Sequence, residues 1–242
     1  MRTKIVLIGA GSAMFTQGIV SDMIKRSHHR KWHLSLVDVS QDILTSVSRL
    51  VQKMIDTRGA DIEISSSTDR RDVLPGADFV ITSIGVGGRR AWEKDVYIPR
   101  KYGIFQPVGD SVAVGGISRS MRMIPAMVAI AKDVKELCPD AVFFNVSNPM
   151  TTICRAIAKA VDIPVYGLCA GTYNVERYLA EFIGTPKEDV TALAVGLNHF
   201  TWIYDLKVKG QDAWPLVREK IKELAAQRRV SQPIAAAECD RI

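Results

Sequence analysis

The chain has 242 residues, 47% of them hydrophobic and 24% charged, the balance of a globular protein long enough to bury a sizeable core. Its formal charge of +6 is spread in small clusters such as Lys25-Arg26 and Arg228-Arg229, without the concentrated basic stripe that nucleic acid requires. Four cysteines, Cys138, Cys154, Cys169 and Cys239, form no CxxC pair, which argues against a zinc ribbon or a disulfide framework.

Met1-Arg2-Thr3-Lys4 leads straight into Ile5-Val6-Leu7-Ile8, which stops at glycines rather than running on as a signal core. No apolar run reaches the roughly 18 residues of a membrane span. The expectation is a cytoplasmic protein with neither a membrane nor a nucleic acid as partner.

Short apolar runs alternate with stretches of helical period. Lys4 to Ile8 reads as a buried strand, and Phe15, Ile19, Val20, Met23 and Ile24 then recur at helical spacing. A strand from His33 to Val37 ends at Asp38. Ser40 can cap a helix whose stripe is Ile43, Leu44, Val47, Leu50, Val51, Met54 and Ile55. Ile62 and Ile64 mark a third strand, and Asp72 to Asp78 a turn of helix closing on Gly76. Further strands are expected at Phe79 to Ile84, Val142 to Val146 and Val165 to Leu168. Helices are expected from about Ser118 to Leu137, with Pro125 near the start, and at Met150 to Val161, Asn174 to Phe182 and Trp214 to Gln227. Val190 to Val208 is a long β-prone run. The alternation predicts an α/β fold, a doubly wound parallel sheet covered by helices on both faces. It further predicts a first domain over 1–195 and the truncated start of a second, α+β domain over 196–242. A second unit of that size is too small for its own core, so the chain is expected to be a fragment or a truncated product.

Gly9-Ala10-Gly11-Ser12 lies between a strand and a helix, where a dinucleotide pyrophosphate would rest. Gly9 permits the tight turn, and Gly11 lets the backbone approach the phosphates at the helix N-terminus. Met14 holds the position of the usual third glycine, so the fingerprint is partial. Asp38 closes the second strand, where it can accept hydrogen bonds from the adenosine ribose and repel a 2′-phosphate, which favours NAD over NADP. An ordinary glycine turn beside a helix-capping acid is the plainer alternative.

Several blocks resemble family 4 of the glycoside hydrolases, in order and over nearly the whole chain. They include Ile8-Gly9-Ala10-Gly11-Ser12, Thr68-Asp69-Arg70-Arg71, Val108-Gly109-Asp110-Ser111, Gly115-Gly116-Ile117, Asn145-Val146-Ser147-Asn148-Pro149-Met150, Gly167-Leu168-Cys169 and Gly196-Leu197-Asn198-His199. The resemblance implies a Rossmann domain of the lactate/malate dehydrogenase type and a glycosidase that uses NAD and a divalent cation, usually Mn2+. In that family the sugar is oxidised at C3 by NAD and deprotonated at C2 with help from the metal. The glycosidic oxygen is then expelled and water adds, the NAD-dependent exception to the two-carboxylate rule. The implied partner is a small-molecule glycoside, and the implied assembly a homo-oligomer.

By the same resemblance Cys169 and His199 are the metal ligands, a thiolate and an imidazole that leave positions open for sugar hydroxyls. Asn148 would hold a sugar hydroxyl, although Asn also suits an Asn-Pro turn on its own account. Asp110 sits in the loop that adjoins and tunes the catalytic base; it could equally be turn punctuation. The Gly-Asp-Ser block resembles members acting on unphosphorylated α-hexosides or α-hexuronides. Trp92 stands where phosphosugar members tend to carry arginine, and its indole could stack on a sugar or fill the core. Arg89 and Arg90 could meet a uronic acid carboxylate or lie on the surface.

Two departures stand out. The residue after the metal cysteine is Ala170, which cannot donate a proton, and the family's tyrosine base is expected beyond residue 242. The nearest rival is a lactate/malate-type dehydrogenase, which shares the Asn-Pro turn. That reading needs a catalytic histidine after strand six, where this chain has Gly-Leu-Cys-Ala-Gly. A non-catalytic NAD-binding fragment is the third reading.

Overall fold

The computed structural model describes residues 2–26, 30–106, 108–169, 171–197 and 200–229. They fall into two compact units, Met1–Leu168 and Cys169–Ile242.

The first unit alternates strand and helix, as the sequence predicts in all but one element, α3: β1 (Thr3–Ile8), α1 (Ala13–Lys25), β2 (Trp32–Val37), α2 (Gln41–Arg58), β3 (Ile62–Ser67), β4 (Phe79–Thr82), α3 (Gly88–Arg100), α4 (Ala113–Leu137), β5 (Val142–Asn145), α5 (Met150–Ala160) and β6 (Val165–Gly167). All six strands are parallel, in the order β3-β2-β1-β4-β5-β6, so the direction of winding reverses between β1 and β4. Successive strand residues point to opposite faces, and in the inner strands both faces are covered, whereas the edge strands β3 and β6 are partly exposed. Ile5, Leu7, Leu34 and Leu36 pack with Val20, Met23, Leu44, Val51 and Ile55 of α1 and α2. Val6, Ile8, Val80 and Phe143 pack with Met123, Met127 and Ile130 of α4 and Ile153 and Ile157 of α5. Near-continuous apolar strands are the sequence signature of this double coverage.

Ser40 caps α2 as expected, its side chain accepting from the Ile43 amide, and Gly59 ends that helix in the left-handed region. Two expectations need correction. The turn placed at Asp72 to Asp78 is a short 3-10 helix earlier in the chain, Arg70–Asp72, fixed by Asp69 accepting from the Arg71 amide. The helix expected from Ser118 begins at Ala113, so Pro125 lies inside it rather than near its start.

Helix α3 was not anticipated at all. Gly87 and Gly88 at its start and Pro99 inside its last turn read as breakers. What holds it is one buried face, Asp95, Val96 and Pro99, packed towards α4. Both carboxylate oxygens of Asp95 are taken, Oδ2 by Arg122 Nη2 at 2.6 Å, and Oδ1 by Arg122 Nη1 at 2.9 Å and the Ser118 hydroxyl at 2.7 Å. The Asp95 side chain is 2% exposed and that of Arg122 28%. Pro99 has no amide hydrogen for the carbonyl four residues back, which is that of Asp95. The side-chain amide of buried Gln106 donates to that oxygen instead, at 3.2 Å.

The second unit contains α6 (Gly171–Ile183), the strands β7 (Val190–Leu197), β8 (Phe200–Val208) and β9 (Gln211–Asp212), and α7 (Trp214–Arg229). The β-prone run is thus an antiparallel pair, and β9 extends it to a three-stranded sheet in the order β7-β8-β9. Ala180, Val190, Leu206, Ala213 and Val217 form its small core. Among the described residues, no helix is long and apolar enough to cross a membrane.

Burial pushes the Asp95 carboxyl upward. Hydrogen bonds from Arg122 and Ser118, with the charges of Arg122 and Arg119, outweigh that and hold it below the usual carboxylate range. A carboxyl depressed in the folded state stabilises it above the unfolded value, near 4, and loses that contribution as pH falls through the folded value. Asp95→Asn is therefore expected to cost about 3–5 kcal/mol at pH 7, with the gap to the parent narrowing on acidification below about pH 4. Urea denaturation across pH checks this, and equal midpoints at neutral pH would refute it.

Candidate functional site

The glycine turn leaves β1 at the point where the strand order reverses, the place where doubly wound sheets open a crevice. The amides of Gly9 and Ala10 both donate to the Val37 carbonyl, at 2.8 and 2.9 Å, so the turn closes over the end of β2. Gly9 has φ +94°, and a Cβ there would lie 2.2 Å from the Ser83 carbonyl oxygen. No other residue fits.

Gly11 brings the turn onto Asp38. Its amide donates to Asp38 Oδ2 at 2.8 Å, while the Ser40 amide donates to Oδ1 at 3.1 Å. A Cβ on Gly11 would stand 2.6 Å from Oδ2 and 2.7 Å from Ile43 Cγ2. Asp38 is thus held in one orientation by two main-chain donors, with acceptor capacity to spare. Ser12 takes the cap position of α1, yet its side chain makes no capping bond. The adjoining turn is fixed by Thr16 instead, whose buried hydroxyl donates to the Ala10 carbonyl at 2.7 Å.

A second group gathers at the ends of β4 and β5. The Ile84 amide donates to the Ser147 hydroxyl at 2.8 Å, and buried Asn145 takes the Ser147 amide at 2.9 Å. The following Asn148–Pro149 bond is cis. Asn148 donates from Nδ2 to Asp110 Oδ2 at 2.8 Å, and Asp110 Oδ1 accepts from the Ser111 hydroxyl at 2.9 Å. Asp110 and Asn148, read from separate blocks, are therefore direct partners. The Asp110 loop is pressed against α4: a Cβ at Gly115 would meet the Gly109 carbonyl oxygen at 2.4 Å, and one at Gly116 the Ser111 carbonyl carbon at 2.5 Å. That close approach is the physical reason for the glycine pair.

Trp92 is half-buried and donates from Nε1 to the Val108 carbonyl at 2.8 Å, so its polar edge is spent on anchoring this loop. Arg89 is largely exposed and paired with Glu93 at 3.0 Å. Sequence reasoning passed over Arg119, whose Nε donates to the Asn148 carbonyl at 3.1 Å. Its only signal was its place just past the Gly115-Gly116-Ile117 block.

In the second unit Cys169 is exposed, and its Sγ accepts from the Gly171 amide at 3.4 Å, at the start of α6. A sulfur so placed is available to a soft or borderline cation. His199 and Ala170 lie outside the described residues. Among the described residues, no group of three or more His, Cys, Asp or Glu side chains is gathered as a metal cage.

A parallel sheet with a glycine turn at its reversal and a fixed acid closing the second strand defines the class of dinucleotide-binding α/β proteins. Comparison with known proteins narrows the class. The family model "Family 4 glycosyl hydrolase" matches residues 4–185, and that of its C-terminal domain residues 194–241. The chain belongs to family 4 of the glycosyl hydrolases.

An α-glucosidase of Erwinia rhapontici is 38% identical over 93% of this chain and 51% of its own length. An α-galacturonidase of Thermoanaerobacterium saccharolyticum is 33% identical over 86% of this chain and 47% of its own. The chain thus spans about half the length of the curated relatives it matches. A 6-phospho-β-glucosidase of Thermotoga maritima, solved with manganese, NAD+ and glucose-6-phosphate, superimposes with a TM-score of 0.81 at 26% identity, covering 92% of this chain and 53% of that one. A malate dehydrogenase of Picrophilus torridus superimposes with a TM-score of 0.68 at 19% identity, a likeness of fold alone.

Gly11→Ala is expected to lower stability by about 1–3 kcal/mol, since the new methyl overlaps Asp38 and Ile43. Ser12→Ala should stay within about 0.5 kcal/mol of the parent, because its hydroxyl caps nothing. Paired urea titrations check both, and a neutral Gly11→Ala would mean that the turn is looser than described.

Proposed function

We propose that this chain is the cofactor- and metal-binding part of a glycosidase that hydrolyses an unphosphorylated α-hexoside or α-hexuronide. The observation that carries the reading is Asp38, locked by Gly11 and Ser40 at the mouth of a turn where a side chain in place of Gly9 or Gly11 would clash. That cradle fits NAD: the Gly9–Gly11 backbone receives the pyrophosphate, the idle Ser12 hydroxyl can meet a phosphate oxygen, and Asp38 accepts from the ribose hydroxyls. A 2′-phosphate would face a carboxylate there. Functionally, 1–195 is read as the NAD domain and 196–242 as the beginning of the metal and substrate domain.

NAD would supply reversible hydride removal from the sugar, and a divalent cation such as Mn2+ would supply polarisation of the resulting carbonyl, which acidifies the C–H bond beside it. Cys169, exposed and held by one backbone amide, is suited to be one ligand of that cation, with His199 as the second by family resemblance. Asn148 keeps its side-chain carbonyl oxygen for a sugar hydroxyl while its amide group donates to Asp110. Asp110 in turn orients that amide and contributes a negative charge beside the sugar. The proton transfers need groups beyond those named, the base among them.

The test combines the chain with NAD, Mn2+ and aryl α-glycosides or α-uronides and follows phenol release. Release that requires both additions supports the proposal. Net NADH formation from a hydroxy acid would instead favour the dehydrogenase, and NAD-dependent heat stabilisation without any turnover a binding module. In the same assay NAD is expected to bind at least about tenfold more tightly than NADP, with Asp38→Ala erasing most of that preference.

A further inference from the structure

Arg119 lies on α4 and is half-buried, yet it takes part in none of the ion pairs among the described residues. Its Nε is spent on the Asn148 carbonyl. Its Nη2 reaches the loop after β4, 3.8 Å from where a Cβ on Gly85 would stand. Asp95 is near enough to feel its charge but is saturated by Arg122 and Ser118. Asp110 is engaged with Asn148 and Ser111. Two guanidiniums three residues apart on α4 thus share one neighbouring carboxylate, and the charge left over belongs to Arg119. A partly desolvated guanidinium with its terminal fork unused calls for an anion.

The geometry points to Arg119 as the anchor for the carboxylate of a hexuronide substrate. This deepens, and rests on, the glycosidase reading above. The terminal nitrogens of an arginine match a planar carboxylate two-to-two. A phosphate monoester brings nearly two charges, which here would meet one cation with Asp110 close by. Contact with Asn148, the residue proposed to hold a sugar hydroxyl, places the fork at the sugar rather than at the adenosine end of the cofactor. Arg89, the earlier candidate for such a role, is tied to Glu93.

The experiment titrates the 242-residue chain, saturated with NAD and Mn2+, with galacturonate, galactose and galactose 6-phosphate by calorimetry. Galacturonate should bind about tenfold or more tightly than either of the others. Arg119→Met should bring galacturonate to parity with galactose, Arg119→Lys should recover part of the preference, and Arg89→Met should change nothing. The ratio between acid and neutral sugar is the readout, because loss of the Asn148 contact alone would weaken both sugars together. Equal binding of galacturonate and galactose by the parent chain overturns the assignment, as does a preference for the 6-phosphate. So does an Arg119→Met variant that loses NAD affinity while keeping its acid preference, which would give the cation to the cofactor's phosphates. If the parent chain binds neither NAD nor any sugar, the glycosidase reading fails first and takes this inference with it.

Discussion

The Asp38 carboxylate resting on the amides of Gly11 and Ser40 joins the ends of β1 and β2 and the start of α2 in one short circuit. Removing Cβ from residue 11 is what lets main chain and carboxylate come within hydrogen-bonding distance. The sheet supplies the setting, because only a parallel pair delivers both strand ends to the same edge. The result is an acceptor whose direction is fixed before any ligand arrives, which lowers the ordering cost of binding.

The loop cluster at the ends of β4 and β5 is built by the same means with different parts. Gly115 and Gly116 let α4 press against the loop of residues 109–111. Trp92 and Gln106 pin that loop from two further points, and Asp110 emerges from it to meet Asn148. Beneath lies the pair of buried Asp95 with half-buried Arg122, which joins α3 to α4. Such a pair contributes less net stability than its charges suggest, since Asp95 leaves water entirely and Arg122 in part.

The inner strands of the first unit were legible because double burial writes them as largely apolar runs, the edge strand β3 showed only as Ile62 and Ile64, and the glycine turn was legible because its φ and close contacts exclude other residues. Helix α3 was hidden because its buried face holds an aspartate and a proline, residues that pattern reading assigns to loops. Its support is tertiary, from an arginine 27 residues further along the chain. Asp110 and Asn148 could each be named from sequence, but their direct bond joins positions 38 residues apart and carries no local mark. Arg119 was missed for the same reason. One arginine among several on a basic chain is distinguished only by which carboxylates its neighbours have already taken.

The proline near the end of α3 has a mechanical side. Because its ring offers no hydrogen to the Asp95 carbonyl, that oxygen is open to the Gln106 amide, whose other end takes the Gly115 amide at 2.9 Å. Helix end, loop tip and the first turn of the next helix are thereby geared through a single side chain. Fraying at one end would travel to the other, so the loop carrying Asp110 is only as stiff as the last turn of the helix before it.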